Sequence, residues 1–344
     1  MMEDSMMTRI LVETVVKKAL AAIKEDPERE TRNLVDMALQ FAEGRFQQEF
    51  FSTMQTMLQN EHSAYYGLVR DVVSHTDTER LFTFGMNVGY NGCTVGARCI
   101  RENERKLGCN IPWIVSIRPD GARWADDCAR YDKLIGEGET LGIYVWAVFA
   151  GERPQDLLCL AKAHPASAFC VFCRVEDLSE VFLEEALEYN NIMLLVRYDE
   201  AAADVCASLR RMGLLYSVWY PYGTRDLEDI INGDLFYSAQ QLAPAFTVLL
   251  AEPECPMEVR RLVCQAVRSA RSDQRFQTLL WEMESDNCLV DSIISGDSCL
   301  VSFDGAGHLC SGDRKTWGER SDIFHGSLVE MLQGAYPKTV EETA

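Results

Sequence analysis

Three arginines carry the clearest chemical signal in this chain. Arg118, Arg174 and Arg197 each close a short apolar run, in IPWIVSIR, AFCVFCR and IMLLVR. A guanidinium presents a planar fork that grips a carboxylate or phosphate with two parallel bonds. Carboxylates close two later runs: Glu252 after FTVLLA, and Glu282 in TLLWEM. If these ends converge, arginine takes the anionic part of a small ligand, and glutamate takes an ammonium or hydroxyl. Burial would raise the pKa of Glu252 or Glu282 and fit either one for acid–base catalysis. Tyr220, closing LYSVWY, would line the same pocket. A ring of structural ion pairs would use the same residues, so residue type alone leaves both roles open.

The second group is the glycine-rich stretch GMNVGYNGCTVGARC, with Gly85, Gly89, Gly92 and Gly96. Taken as a loop that runs into a helix, it would offer backbone N–H groups to an anion. Asn87, Tyr90 and Asn91 would then touch the ligand. No Gly-Lys-Ser/Thr follows, so it is not a Walker A loop, and it does not spell G-x-G-x-x-G. Cys93 would sit near the helix start, where a thiol pKa falls. A Cys–His nucleophile is nevertheless disfavoured, because none of the five histidines closes an apolar run. Cys170 and Cys173 form a C-x-x-C inside a predicted strand, where their side chains point to opposite faces. With no second such pair, a zinc ribbon is disfavoured.

Such groups need a scaffold that brings many strand ends together. Residues 8–78 show apolar positions at three- and four-residue steps and predict four helices. From Leu81 the pattern changes to eight apolar runs: LFTFGM, IPWIVSI, IYVWAVF, AFCVFC, IMLLVR, LYSVWY, FTVLLA and TLLWEM. Amphipathic helical stretches separate them. The runs are nearly continuous in hydrophobicity, as expected when both faces of a parallel sheet are covered. Their spacing of roughly 25 to 32 residues is that of one βαβ unit. Eight units predict a (β/α)8 TIM-type barrel, closed or partial, whose chemistry gathers at the C-terminal strand ends. The expected organisation is a helical N-terminal segment over 1–80, the barrel over 81–285, and a C-terminal extension over 286–344. In that extension SCLVSFDGAGHLC reads as a hairpin, and SDIFHGSLVEMLQGA as a closing helix.

Barrel, first loop and hairpin together resemble the radical SAM family. That family uses a βα barrel, often partial, with a C-x-x-x-C-x-x-C loop directly after the first strand. The loop holds a [4Fe–4S] cluster that reductively cleaves S-adenosylmethionine. Many members add a cysteine-bearing hairpin of the form strand, Asp-Gly turn, Cys, which CLVSFDGAGHLC resembles. The likeness spans about 81–333 in architecture, and in motif only the first loop and the hairpin. It implies Cys93 and Cys99 as the first-loop metal ligands, and Cys288 and Cys310 as auxiliary ones. The first loop departs from the family pattern, with two cysteines at C-x5-C spacing. A site-differentiated cluster needs three thiolates. The implication is a degenerate member, a pseudoenzyme that keeps the barrel without an intact cluster. It would bind S-adenosylmethionine, or a similar small zwitterion or peptide, at the barrel mouth.

Composition narrows the partners. The net charge is −20, and 47% of the 344 residues are hydrophobic. Such a field repels nucleic acid and anionic membrane surfaces. No apolar stretch reaches the length of a membrane span, and MMEDSMMTRI lacks the apolar core of a secretory signal. The expectation is a cytoplasmic protein whose 13 cysteines are mostly reduced and buried. Two other functions stay open: a cluster-free barrel enzyme using a Glu acid or base on an anionic metabolite, and a non-catalytic regulatory module. The latter would bind a partner protein through its N-terminal helices.

Overall fold

The computed structural model describes residues 2–40, 42, 45–121, 124–151, 154–311, 314–315 and 321–338. Five helices come first: α1 (Met2–Ile23), α2 (Pro27–Gln40), α3 (Arg45–Met57), α4 (Ala64–His75) and α5 (Thr78–Met86). The fifth replaces the expected first strand. LFTFGM is helical because Asp77 caps it, its carboxylate accepting from the Arg80 N–H at 3.0 Å. Leu81, Phe84 and Val88 then fall on one face and enter the core. Buried Arg80 fixes the helix by donating to the Ala186, Leu187 and Tyr189 carbonyls.

The glycine-rich stretch is not a loop either. Asn87–Gly96 continues α5 as a wide π-type helix and runs on into α6 (Ala97–Leu107). Gly92 and Gly96 allow close approach. A Cβ on Gly96 would lie 2.4 Å from the Gly142 carbonyl oxygen and 2.7 Å from that of Asn91.

Seven of the eight expected strands are present: β1 (Ile114–Ile117), β2 (Val145–Phe149), β3 (Ala168–Cys173), β4 (Ile192–Arg197), β5 (Tyr216–Tyr222), β6 (Phe246–Ala251) and β7 (Leu279–Glu282). They pair in sequence order, all parallel. The eighth parallel strand comes from the expected hairpin. β8 (Val301–Phe303) lies parallel to β1, with Val115 opposite Val301 and Ile117 opposite Phe303. β9 (Leu309–Ser311) and β10 (Arg314–Lys315) extend that edge antiparallel. The sheet runs β10-β9-β8-β1-β2-β3-β4-β5-β6-β7. Among the described residues β7 and β8 are its two parallel ends and do not pair, so the barrel is partial.

Crossover helices cover the outer face: α7 (Trp124–Leu141), α8 (Leu158–Ala163), α9 (Glu180–Ala186), α10 (Ala202–Arg211), α11 (Leu227–Asn232), α12 (Asp234–Ala239) and α13 (Met257–Asp273). The helical stretch after β5 breaks at Gly233, whose φ of 87° ends α11. After β7 comes α14 (Met283–Ser295), and α15 (Leu328–Ala335) closes the chain's described part. Strand side chains alternate. Trp146, Val148, Phe169, Val171, Leu194 and Val196 build the outer core, while Ala147, Phe172, Met193, Leu195, Leu215 and Val248 face inward with Phe84 of α5.

Candidate functional site

The sheet separates the expected site residues into two groups at opposite ends. Asn87 and Asn91 lie at the N-terminal end. The Asn87 amide donates to the Pro165 and Ser167 carbonyls at 2.9 Å each, just before β3 begins. Asn91 donates to Asn87 Oδ1 at 3.0 Å and to the Ala166 carbonyl at 2.8 Å. Both amides are buried and satisfied, so they clamp the turn before β3 and do not reach the mouth. Tyr90, on the same helix, has Arg9 of α1 6.0 Å from its ring centroid.

The arginines are at the other end, but they divide by partner. Arg174 follows β3 and holds Asp177 through two bonds of 2.9 Å, with Glu176 3.3 Å away. That fork closes a structural turn. Arg118 follows β1, and its guanidinium lies over the Phe149 ring at 4.2 Å. Arg197 ends β4 and lies 5.9 Å from the Trp219 ring centroid.

Between Arg118 and Arg197 runs a continuous aromatic band. Phe149 stacks on Phe172 with centroids 4.4 Å apart and planes 19° apart. Phe172 meets Trp219 edge-on at 5.9 Å. The Trp219 indole N–H donates to the Cys173 carbonyl at 3.0 Å, which fixes the ring plane. Register explains the alignment: Phe149 is opposite Phe172, and Arg197 opposite Trp219. Phe149 and Trp219 remain part-exposed, and Arg118 and Arg197 are exposed. The inner face thus offers two cations joined by π surfaces near the C-terminal strand ends, which suits a ligand with a carboxylate and a planar or apolar body. The aromatics were missed in the sequence, although their signal was present. They face the same side as alternate apolar residues of their own strands, and cross-strand register brings them beside the arginines.

The two carboxylates do not join this band. Glu282 is buried and caps α14, accepting from the Ser285 N–H at 2.7 Å, the Ser285 hydroxyl at 2.5 Å and the Tyr222 hydroxyl at 3.1 Å. It sits on the outer face, opposite Trp281. Glu252, beyond β6, pairs with Arg225 at 2.5 Å on the rim. Tyr220 donates to Asp226 at 2.8 Å. Burial first, then the Asp226 bond, pushes its hydroxyl up to about 12.

The cysteines implied as metal ligands are scattered. Cys93 lies in the floor helix against the apolar core, where burial pushes its thiol up to about 12. Cys99 accepts from the Asn103 amide at 3.3 Å. Cys288 is on α14 and Cys310 on β9, where it donates to the His308 carbonyl at 3.6 Å. Among the described residues no three His, Cys, Asp or Glu side chains are grouped to hold a metal ion.

No protein-family model matches the chain, and no curated protein matches it. Solved structures do. SuiB of Streptococcus suis bound to precursor peptide SuiA superposes with a TM-score of 0.51 at 9% identity, covering 68% of this chain and 68% of that one. The two chains share a fold over that span. SuiB bound to S-adenosylmethionine is also similar, with a TM-score of 0.49, 10% identity, and coverage of 68% and 67%. The partial TIM-type barrel read from the sequence therefore stands at the level of architecture. No helix among the described residues is long and apolar enough to cross a membrane.

Proposed function

We propose that this chain is a radical SAM-like barrel protein that binds a small anionic or zwitterionic ligand on its inner face, without cluster-driven radical chemistry. The ligand class is an S-adenosylmethionine-type molecule or a peptide. One observation carries the reading: Arg118 and Arg197 stand at either end of the Phe149–Phe172–Trp219 band. Aromatic faces would take a planar base or apolar side chain, and an arginine the carboxylate. The peptide-bound state of SuiB, which shares the fold, supports a peptide as one member of the class.

The residues present do not fit a [4Fe–4S] cluster. Cys93 and Cys99 belong to a helix beneath the N-terminal strand ends, with Cys93 packed among apolar side chains. No step is routed through a cluster. Glu282 serves as a helix cap and Glu252 as an ion-pair partner, so neither is put forward as acid or base.

A protein partner at the N-terminal helices is a second reading, favoured by Met7, Ile10 and Leu11, which form an exposed apolar stripe on α1. The main proposal is tested by calorimetric titration of metal-free protein with S-adenosylhomocysteine and with carboxylate-bearing peptides. Saturable binding that quenches tryptophan fluorescence and is weakened by Trp219→Leu is the expected result. Absence of binding to either class would overturn the proposal.

A further inference from the structure

Two cysteines with no part in the site above face each other at its rim. Cys128 lies near the start of α7 and Cys159 near the start of α8, 31 residues apart, with sulfurs 3.2 Å from each other. Cys159 is exposed and Cys128 half-buried, so a small oxidant reaches both. Both helices start after strands that carry the band. α7 follows β1 and Arg118; α8 follows β2 and Phe149.

We infer that Cys128 and Cys159 form a reversible redox pair, a disulfide site that staples the β1–α7 and β2–α8 connections under hydroperoxide. The sulfurs need to close by only ~1 Å to reach bonding distance. Hydrogen peroxide is the oxidant. The Cys128 thiol gives up its proton, the sulfur attacks one peroxide oxygen, the O–O bond breaks, and the departing hydroxide takes that proton and leaves as water, so that a sulfenic acid remains on Cys128. The Cys159 sulfur then attacks the Cys128 sulfur, the S–S bond forms, the S–O bond breaks, and a second water leaves with the Cys159 proton. Two thiols are oxidised and one peroxide is reduced to two waters. Burial, then its hydrogen bond with Cys128, pushes the Cys159 thiol up to about 12, so Cys159 holds its proton at rest and gives it up only as it attacks the sulfenic acid. A dithiol reductant reverses the bond by exchange.

Oxidation ties together the connections that follow Arg118 and Phe149, and so restricts the mouth of the barrel. The test treats the full chain with hydrogen peroxide, blocks free thiols, and maps disulfide-linked peptides by mass spectrometry. A Cys128–Cys159 cross-link, reversed by dithiothreitol and accompanied by a higher unfolding temperature, is expected. Cys159→Ser should instead accumulate a sulfenic acid on Cys128 that dimedone labels. Both thiols staying alkylatable after peroxide, a cross-link between other cysteines, or over-oxidation of Cys128 without a cross-link in the unsubstituted chain would each overturn the inference.

Discussion

Replacing the three strand-end arginines one at a time separates binding from structure. Arg174 donates two 2.9 Å bonds to Asp177, whose side chain is 4% exposed. Arg174→Ala leaves that buried carboxylate short of partners, at a cost of about 1–3 kcal/mol in stability. A midpoint shift of roughly 2–4 °C per kcal/mol follows for a domain of moderate size. Arg118 and Arg197 are exposed and lie over aromatic rings, a contact worth about 0.5–1 kcal/mol at such sites. Arg197→Ala should melt close to the parent. If either arginine grips the ligand's carboxylate, its loss costs about 1.5–3 kcal/mol of binding. At 1.4 kcal/mol per decade, Kd rises roughly 10- to 150-fold. Paired calorimetry and thermal denaturation read both axes. Ligand affinity unchanged in both Arg118→Ala and Arg197→Ala, or lost mainly in Arg174→Ala, would refute the assignment of the band.

Asp291 supplies a pH test. Burial raises its carboxyl from an ordinary 3.8 to about 8, against hydrogen bonds from the Trp113 and Cys299 N–H groups. A raised folded-state pKa means that its contribution to stability is full below 3.8 and is lost as pH rises through about 8. Denaturant midpoints should fall across that window, and Asp291→Asn should flatten the fall; an unchanged slope would contradict it. Glu282→Ala removes the cap of α14 and should cost about 0.5–2 kcal/mol with ligand affinity intact. Lost affinity without lost stability would instead return Glu282 to the site. Gly96→Ala forces a Cβ against the Gly142 and Asn91 carbonyls and should destabilise by about 1–3 kcal/mol or more, read in urea unfolding. A neutral result would mean that the floor helix is not packed as described.

Much of the scaffold was legible because buried parallel strands leave long apolar runs between amphipathic helices. The exceptions have physical causes. LFTFGM alternates like a strand, yet Asp77 ahead of it is a helix cap, and Leu81, Phe84 and Val88 keep helical spacing. The glycines at 85, 89, 92 and 96 suggested a loop, yet they lie in helix: Gly85 and Gly89 face open space, and Gly92 and Gly96 are buried in close contacts. β8 was expected in a separate hairpin because a three-residue strand carries no signature of its partner. Its pairing with β1, nearly the whole barrel away in sequence, extends the open edge of the sheet and is a contact that local sequence does not encode. Arg118 and Arg197 stand at strand ends as their position in the apolar runs predicted, and their part in binding is a proposal. Arg174 was grouped with them because nothing in the run AFCVFCR tells that Asp177, three residues on, claims its fork. Glu282 was misjudged for a similar reason: a carboxylate at a strand end is also the residue best placed to cap the next helix.

We propose that the chain pairs a partial barrel of the SuiB type with a ligand-binding inner face and holds no iron–sulfur cluster. Iron and sulfide content, with a visible spectrum after anaerobic reconstitution, tests it most directly. The account predicts a colourless protein with no stoichiometric iron. About four irons per chain with a broad thiolate charge-transfer band would contradict it, and would require cysteines such as Cys93 and Cys99 to leave their packed helix and gather around a cluster.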